Sequence, residues 1–374
     1  MRPCLRLNSS THLRSVCVLI FCLSVFGLMS TSAVTAKAAE ARGQLISPNS
    51  ILANALTGKV YAVDSENGIV TVITASTGST TQMKVGNDPV AIAINDMTDT
   101  VYVTNNGSGT VSVIDGATNS VKATVEVGAR PYSIAVNPKT NEVYVSNTFS
   151  DQITVIDGAT NNTTKVKAGS ADEIAVDTKR NKIYLMGFEG STLSVLDGAT
   201  NALTHISTGG HVWSIAVDEV HGNVYVTHVG NDTLQVINIA SGISTYIKTG
   251  VLPCVVMLNP TTEKLYVLNY GSDSVTVINA RTNAVVASVK VGVRPQALAV
   301  DSKADKIYVA NTHGNTVTVI DGKSNTAVGK MDGGLHPYAL AVDSATGKVY
   351  AKDFGDPDAK DTSSRLSVDL KPAK

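Results

Sequence analysis

Cysteine, charge and aromatic side chains are all scarce in this chain. Only four of its 374 residues are cysteine, and Cys4, Cys17 and Cys22 stand near the start. Beyond them Cys254 is alone, which excludes an internal disulfide and a C-x-x-C-H haem attachment there. Charged residues make up 16% and aromatics 5%, with Trp213 the single tryptophan. The 30 basic and 31 acidic residues form no basic run. Such a surface holds phosphate backbones poorly, so no nucleic-acid partner is expected. No G-x-S-x-G, Walker loop or H-E-x-x-H is present, so no standard nucleophile, phosphate or zinc motif announces a reaction. What abounds is Val, Thr, Ala and Ile, with 30 glycines. That mixture suits many short strands joined by tight turns.

Residues 1–38 depart from this pattern. Arg2, Arg6 and Arg14 precede an apolar run, Ser15 to Met29, and small residues follow up to Ala36-Lys37-Ala38. A basic start, an apolar middle and an A-x-A end predict a signal peptide, with an uncleaved anchor as the rival. Cleavage removes four basic and no acidic residues, lowering the basic count from 30 to 26 against 31 acidic. The expected mature chain, 39–374, is mildly acidic, monomeric, without a membrane span, and periplasmic or secreted.

The rest is organised around a repeat. Val101 to Asn119 reads VYVTNNGSGTVSVIDGATN; Val143 to Asn161 reads VYVSNTFSDQITVIDGATN; Ile307 to Asn325 reads IYVANTHGNTVTVIDGKSN. Tyr61, Tyr102, Tyr144, Tyr184, Tyr225, Tyr266, Tyr308 and Tyr350 recur at intervals of 40 to 42 residues. A period near 40 with strand-like content marks units that bury their faces against one another. Each unit holds four strand candidates, A to D, linked by Pro-, Asn- and Asp-Gly-rich turns. The prediction is an all-β, single β-propeller of four-stranded antiparallel blades, eight in number, with seven as the alternative. The eighth unit has an acidic insertion within Asp353–Arg365 and ends without a strand D. Glu40–Ile46 is expected to supply that strand beside Leu366–Leu370 and so close the ring.

The repeat resembles the YVTN-family β-propeller module through Tyr102-Val103-Thr104-Asn105, Tyr144-Val145-Ser146-Asn147, Tyr225-Val226-Thr227-His228 and Tyr308-Val309-Ala310-Asn311. The resemblance implies an exported propeller. Relatives in this broad group include lactonases and companions of redox enzymes, so the resemblance supplies no single reaction and no catalytic residue. The lone tryptophan argues against the WD40 pattern, which repeats Trp-Asp.

Binding residues usually lie on loops that a rigid scaffold positions. The aligned position before strand A holds Ser47, Asp88, Arg130, Ser170, His211, Leu252, Arg294 and His336. Two residues on stand Asn49, Val90, Tyr132, Asp172, Trp213, Cys254, Gln296 and Tyr338. Both sets should ring the channel mouth. Asp88, Arg130, Tyr132, His211, Trp213, Arg294, His336 and Tyr338 are the candidate ligand-binding residues, suited to an anionic or planar molecule through forked donors and stacking faces. The competing explanation is solvated loop residues. A second ring, mostly Asn (Asn105, Asn147, Asn269, Asn311, with His228 in one unit), reads as turn chemistry. No metal and no cofactor are expected. The leading expectation is an exported propeller that binds a small molecule, polymer or protein. The alternatives are a lactonase-like hydrolase or redox-enzyme partner, and a structural cell-envelope protein.

Overall fold

A computed structural model describes residues 49–355, apart from 149, 188 and 189, together with 365–367 and 370. The expected signal peptide, the strand within Glu40–Ile46 and the insertion around Asp356–Asp361 lie outside the described residues.

The described chain is a ring of eight antiparallel sheets. In the second blade, strand A is Pro89–Asn95, B is Thr100–Asn105, C is Thr110–Asp115 and D is Ser120–Glu126. Each pairs with the next in sequence. Tyr102 faces Ala93 on one side and Val113 on the other. Seven blades show this four-stranded meander; among the described residues the eighth shows three strands, Pro337–Asp343, Lys348–Asp353 and Arg365–Ser367. Strand A of each blade touches strand A of the next, and Pro337–Asp343 meets Ile51–Asn54, so blade 8 packs on blade 1. The ring therefore has eight blades rather than seven.

The core lies between blades, because every blade is apolar on both faces. Between blades 2 and 3, Tyr102, Val111 and Val113 pack on Ile134, Val143 and Val145. Seven of the recurrent tyrosines are wholly buried and Tyr308 nearly so. The hydroxyl of Tyr144 donates to Glu142 Oε2 at 2.8 Å, and that of Tyr225 to Ala280 O at 3.2 Å. Those of Tyr61, Tyr102 and Tyr184 are buried without a protein partner. Such an orphan costs about 1–3 kcal/mol. The ring's burial, at 150–250 Å² and about 25 cal/mol per Å², contributes roughly 4–6 kcal/mol and wins.

Candidate functional site at the channel mouth

An up-and-down meander puts A–B and C–D turns on one face of the ring and D–A and B–C loops on the other. The motif Tyr-Val-Thr-Asn builds the second face. Tyr102 and Val103 fill the inter-blade core. In strand A the register slips between Pro89 and Ala91, leaving Val90 as an extra, bulged residue. Thr104 Oγ1 accepts the amide of Ala91 just after this bulge, at 3.1 Å. Ser146 accepts from Ser133 at 3.0 Å and Thr227 from Ser214 at 2.9 Å in the same way. Asn105 then fixes the loops: its Oδ1 accepts from Gly86 N, and its Nδ2 donates to Thr110 and Ser112. Asn269 and Asn311 repeat this with Gly250 and Gly292. His228 takes the Asn place in blade 5. It is 2% exposed, with Nε2 2.9 Å from Gln235 Oε1 and Nδ1 3.2 Å from Gly210 O. The Asn ring is thus structural.

The position before strand A is held just as firmly, but through its backbone. Asp88, Arg130, His211, Leu252, Arg294 and His336 all adopt φ between +48° and +57°. Their carbonyls accept amides from the B–C loop of their own blade, such as Asn106 to Asp88 O at 2.8 Å and Thr148 to Arg130 O at 2.9 Å. Three of their amides reach the preceding blade: Leu252 N to Asp232 Oδ1, Arg294 N to Asp273 Oδ1 and His336 N to Asn315 Oδ1. A left-handed conformation is costly for side chains other than Gly, Asn and Asp, yet Arg, His and Leu occupy it here.

Two of these side chains meet rings of the B–C loops. The Arg294 guanidinium stands 5.8 Å above the Tyr270 ring. His336 meets His313 edge-to-face at 5.8 Å, and its Nδ1 is 3.0 Å from Thr312 O. Burial raises the Asp88 carboxyl above its usual range, and nearby Arg130 only partly offsets this. The second candidate position is the bulge itself, which explains its burial. Trp213 is 5% and Tyr338 6% exposed. Tyr338 packs 4.4 Å from Phe354 and joins the core shared with blade 1. Tyr132 keeps partial exposure, so it is the open stacking face of the three aromatics. Cys254 is buried, and burial pushes its thiol up to about 12, far from a thiolate nucleophile.

One residue escaped the sequence reading. The third position of strand A is Ser50, Ala91, Ser133, Ser214, Val255, Ala297 and Ala339 in seven blades, but Glu173 in blade 4. Burial pushes the Glu173 carboxyl up to about 8, and its Oε1 accepts from Ser214 Oγ at 3.3 Å. Burial, then Asp172 and Glu173, push the Tyr132 phenol to about 12. Blades 3 to 5 therefore bring Tyr132, Asp172, Glu173 and Ser214 together at the mouth. A single acidic exception at an otherwise small aligned position was the signal. Among the described residues no group of three or more His, Cys, Asp or Glu side chains is placed to hold a metal ion.

Solved structures share this architecture at low identity. Dihydro-heme d1 dehydrogenase NirN in complex with DHE matches with a TM-score of 0.69 at 13% identity, over 88% of this chain and 77% of that one. Kuenenia stuttgartiensis hydrazine synthase matches at 0.56 and 16%, over 87% and 96%. A functionally unknown protein from Desulfotomaculum acetoxidans DSM 771 matches at 0.60 and 15%, over 80% and 100%. At these identities the likeness is one of fold alone. No curated protein matches the sequence significantly. The family model of the YNCE-like β-propellers matches residues 69–262, over half of the chain, and with eight blades in its ring this protein belongs to that family.

Proposed function

We propose that this protein is an exported binding propeller whose channel mouth takes a small anionic molecule with a flat face. One observation carries the reading: the rim position repeats its backbone conformation in six blades while its side chain runs through Asp, Arg, His and Leu. Six blades keep that conformation whatever the side chain, so the side chain can vary with the ligand. Arg130 and Arg294 offer forked donors, His211 and His336 further donors, and Tyr132 a face. NirN, which shares the fold, is solved in complex with DHE. Trp213, the single tryptophan, stands two residues from His211 and reports on the site. The test is a fluorescence titration with aromatic mono- and dicarboxylates. Saturable quenching that weakens about tenfold or more in Arg130→Ala and Arg294→Ala supports the reading, each guanidinium–carboxylate bond contributing about 1.5–3 kcal/mol. Unchanged affinity in both variants refutes it. Export is tested by mass spectrometry of the secreted chain, whose first residue should be Ala39.

Glu173 favours a second reading, a hydrolase. A carboxyl that titrates near 8 beside Ser214 suits general acid–base work. Lactone or ester hydrolysis that disappears in Glu173→Gln would establish it; no turnover of either class would remove it.

A further inference from the structure

The seam between blades 8 and 1 contains an amine that the channel-mouth reading does not use. Lys352 lies in the second strand of blade 8, two residues after Tyr350. Every other blade has an uncharged side chain at the aligned position. The lysine is 3% exposed. Its Nζ donates to Val63 O of blade 1 at 2.7 Å and stands 5.3 Å from the Tyr338 ring centre. A cavity of about 310 Å³ adjoins it, lined also by Asp64, Thr71, Thr80, Gln82 and Leu366. Thr80 and Gln82 are exposed, so the cavity opens at the perimeter.

Burying an ammonium is expensive unless it is well paired. A simple staple across the seam does not need it. Lys348 makes one from the seam's edge, donating to Ala75 O at 2.8 Å while only half-buried. Burial lowers the Lys352 amine to about 8, and the Asp64 carboxylate opposes this without winning. Near pH 8 roughly half of such an amine is neutral, against well under 1% for an ordinary lysine. Neutral, desolvated lysines beside a cavity are the form that attacks carbonyl carbon.

We propose that Lys352 is the reactive amine of a second ligand site, which takes small aldehydes or keto acids and holds them as an imine. The Nζ lone pair forms a bond to the carbonyl carbon, and the carbon–oxygen π pair moves to oxygen. The two amine hydrogens and that oxygen leave as water, giving C=N with no redox change. Thr71, Thr80 and Gln82 supply hydroxyl and amide groups for a carboxylate or hydroxyl elsewhere on the ligand.

The test uses the full chain with glyoxylate and cyanoborohydride at pH 8, mapped by peptide mass spectrometry. Reductive labelling of Lys352 is expected about tenfold or more faster than at exposed Lys165 and Lys323, following its larger neutral fraction. Thr80→Trp, at the opening, should slow labelling of Lys352 and leave the other two unchanged. Lys352→Arg keeps the charge and should remove that label while the ring still melts cooperatively. Labelling of Lys352 no faster than of Lys165, or a Lys352 rate indifferent to Thr80→Trp, overturns the proposal even if Lys352→Arg fails to fold.

Discussion

The A–B turn face and the rim position before strand A use polar groups in opposite ways. On the A–B turn face, the last residue of strand A joins one blade to the next. Asn54 Nδ2 donates to Asp99 Oδ1, Asn95 to Asn141, Asn137 to Asn181 and Asn259 to Asp305, at 2.7–3.2 Å. Where Asp replaces Asn it can only accept, and the joint changes character: Asp177 holds Arg180 at 2.8 Å and Asp218 holds His221 at 2.6 Å. Side chain and backbone are both constrained there. At the position before strand A the backbone conformation repeats in six blades, while the side chain varies from blade to blade. A polar residue repeated on one face therefore reports architecture, while a polar residue that varies over a repeated conformation marks a place where recognition can be written.

Four substitutions sharpen or break this contrast. The largest effect belongs to Glu173, a mouth residue that the fold carries at a cost. Its folded pKa, about 8, lies above the unfolded value. The folded state thus keeps a proton that the unfolded state has released. Stability should fall as pH rises from about 5 to about 8, by on the order of 3 kcal/mol, and this fall should vanish in Glu173→Gln. Urea titrations at several pH values decide it, and a native-like slope in the variant would contradict the assignment. Next is Asn137→Ala on the turn face, which strands the Lys139 amide and Asn181 Oδ1. It should cost about 2 kcal/mol, lowering the melting temperature by several degrees. Ser146→Ala removes the acceptor of the Ser133 amide at the bulge and should cost about 1 kcal/mol in the same assay. The smallest effect is expected for Arg294→Gly. Glycine adopts φ +48° freely, so stability should stay level or rise by up to about 1 kcal/mol while anion affinity drops. A clear loss of stability would show that the rim side chain is architectural, and the contrast between faces would collapse.

Much of this was legible in the sequence because repetition amplifies weak signals. One Tyr-Val-Thr-Asn says little; eight tyrosines at near-constant spacing define blades, and Pro48, Pro89, Pro131, Pro253, Pro295 and Pro337 mark where six of them begin. The turn chemistry of Asn105 and its equivalents was likewise readable. What stayed hidden depends on direction rather than identity. Trp213 and Tyr338 look like open stacking faces until the bulge places them, and Tyr338 then fills the core shared with blade 1. The left-handed conformation of Arg130 and Arg294 is invisible because neither residue type favours it. Lys352 and Glu173 hide for a further reason. Each is an exception at a position whose other members are bland, and an exception is noticed only once the alignment of blades is trusted.

The junction of blade 8 with blade 1 differs from the other seven in how the chain reaches it. Val63 and Lys352 lie 289 positions apart, whereas other blades meet neighbours about 40 residues away. Elsewhere a short D–A loop tethers each blade to the next, whereas this joint is held by the contacts between its two blades. The difference falls on this one joint. The ring should breathe there first, as a washer splits at its weld. In native-state hydrogen exchange, amides of Ile51–Asn54 should exchange ahead of those of Pro131–Asn137, through an opening that leaves the other blades stacked.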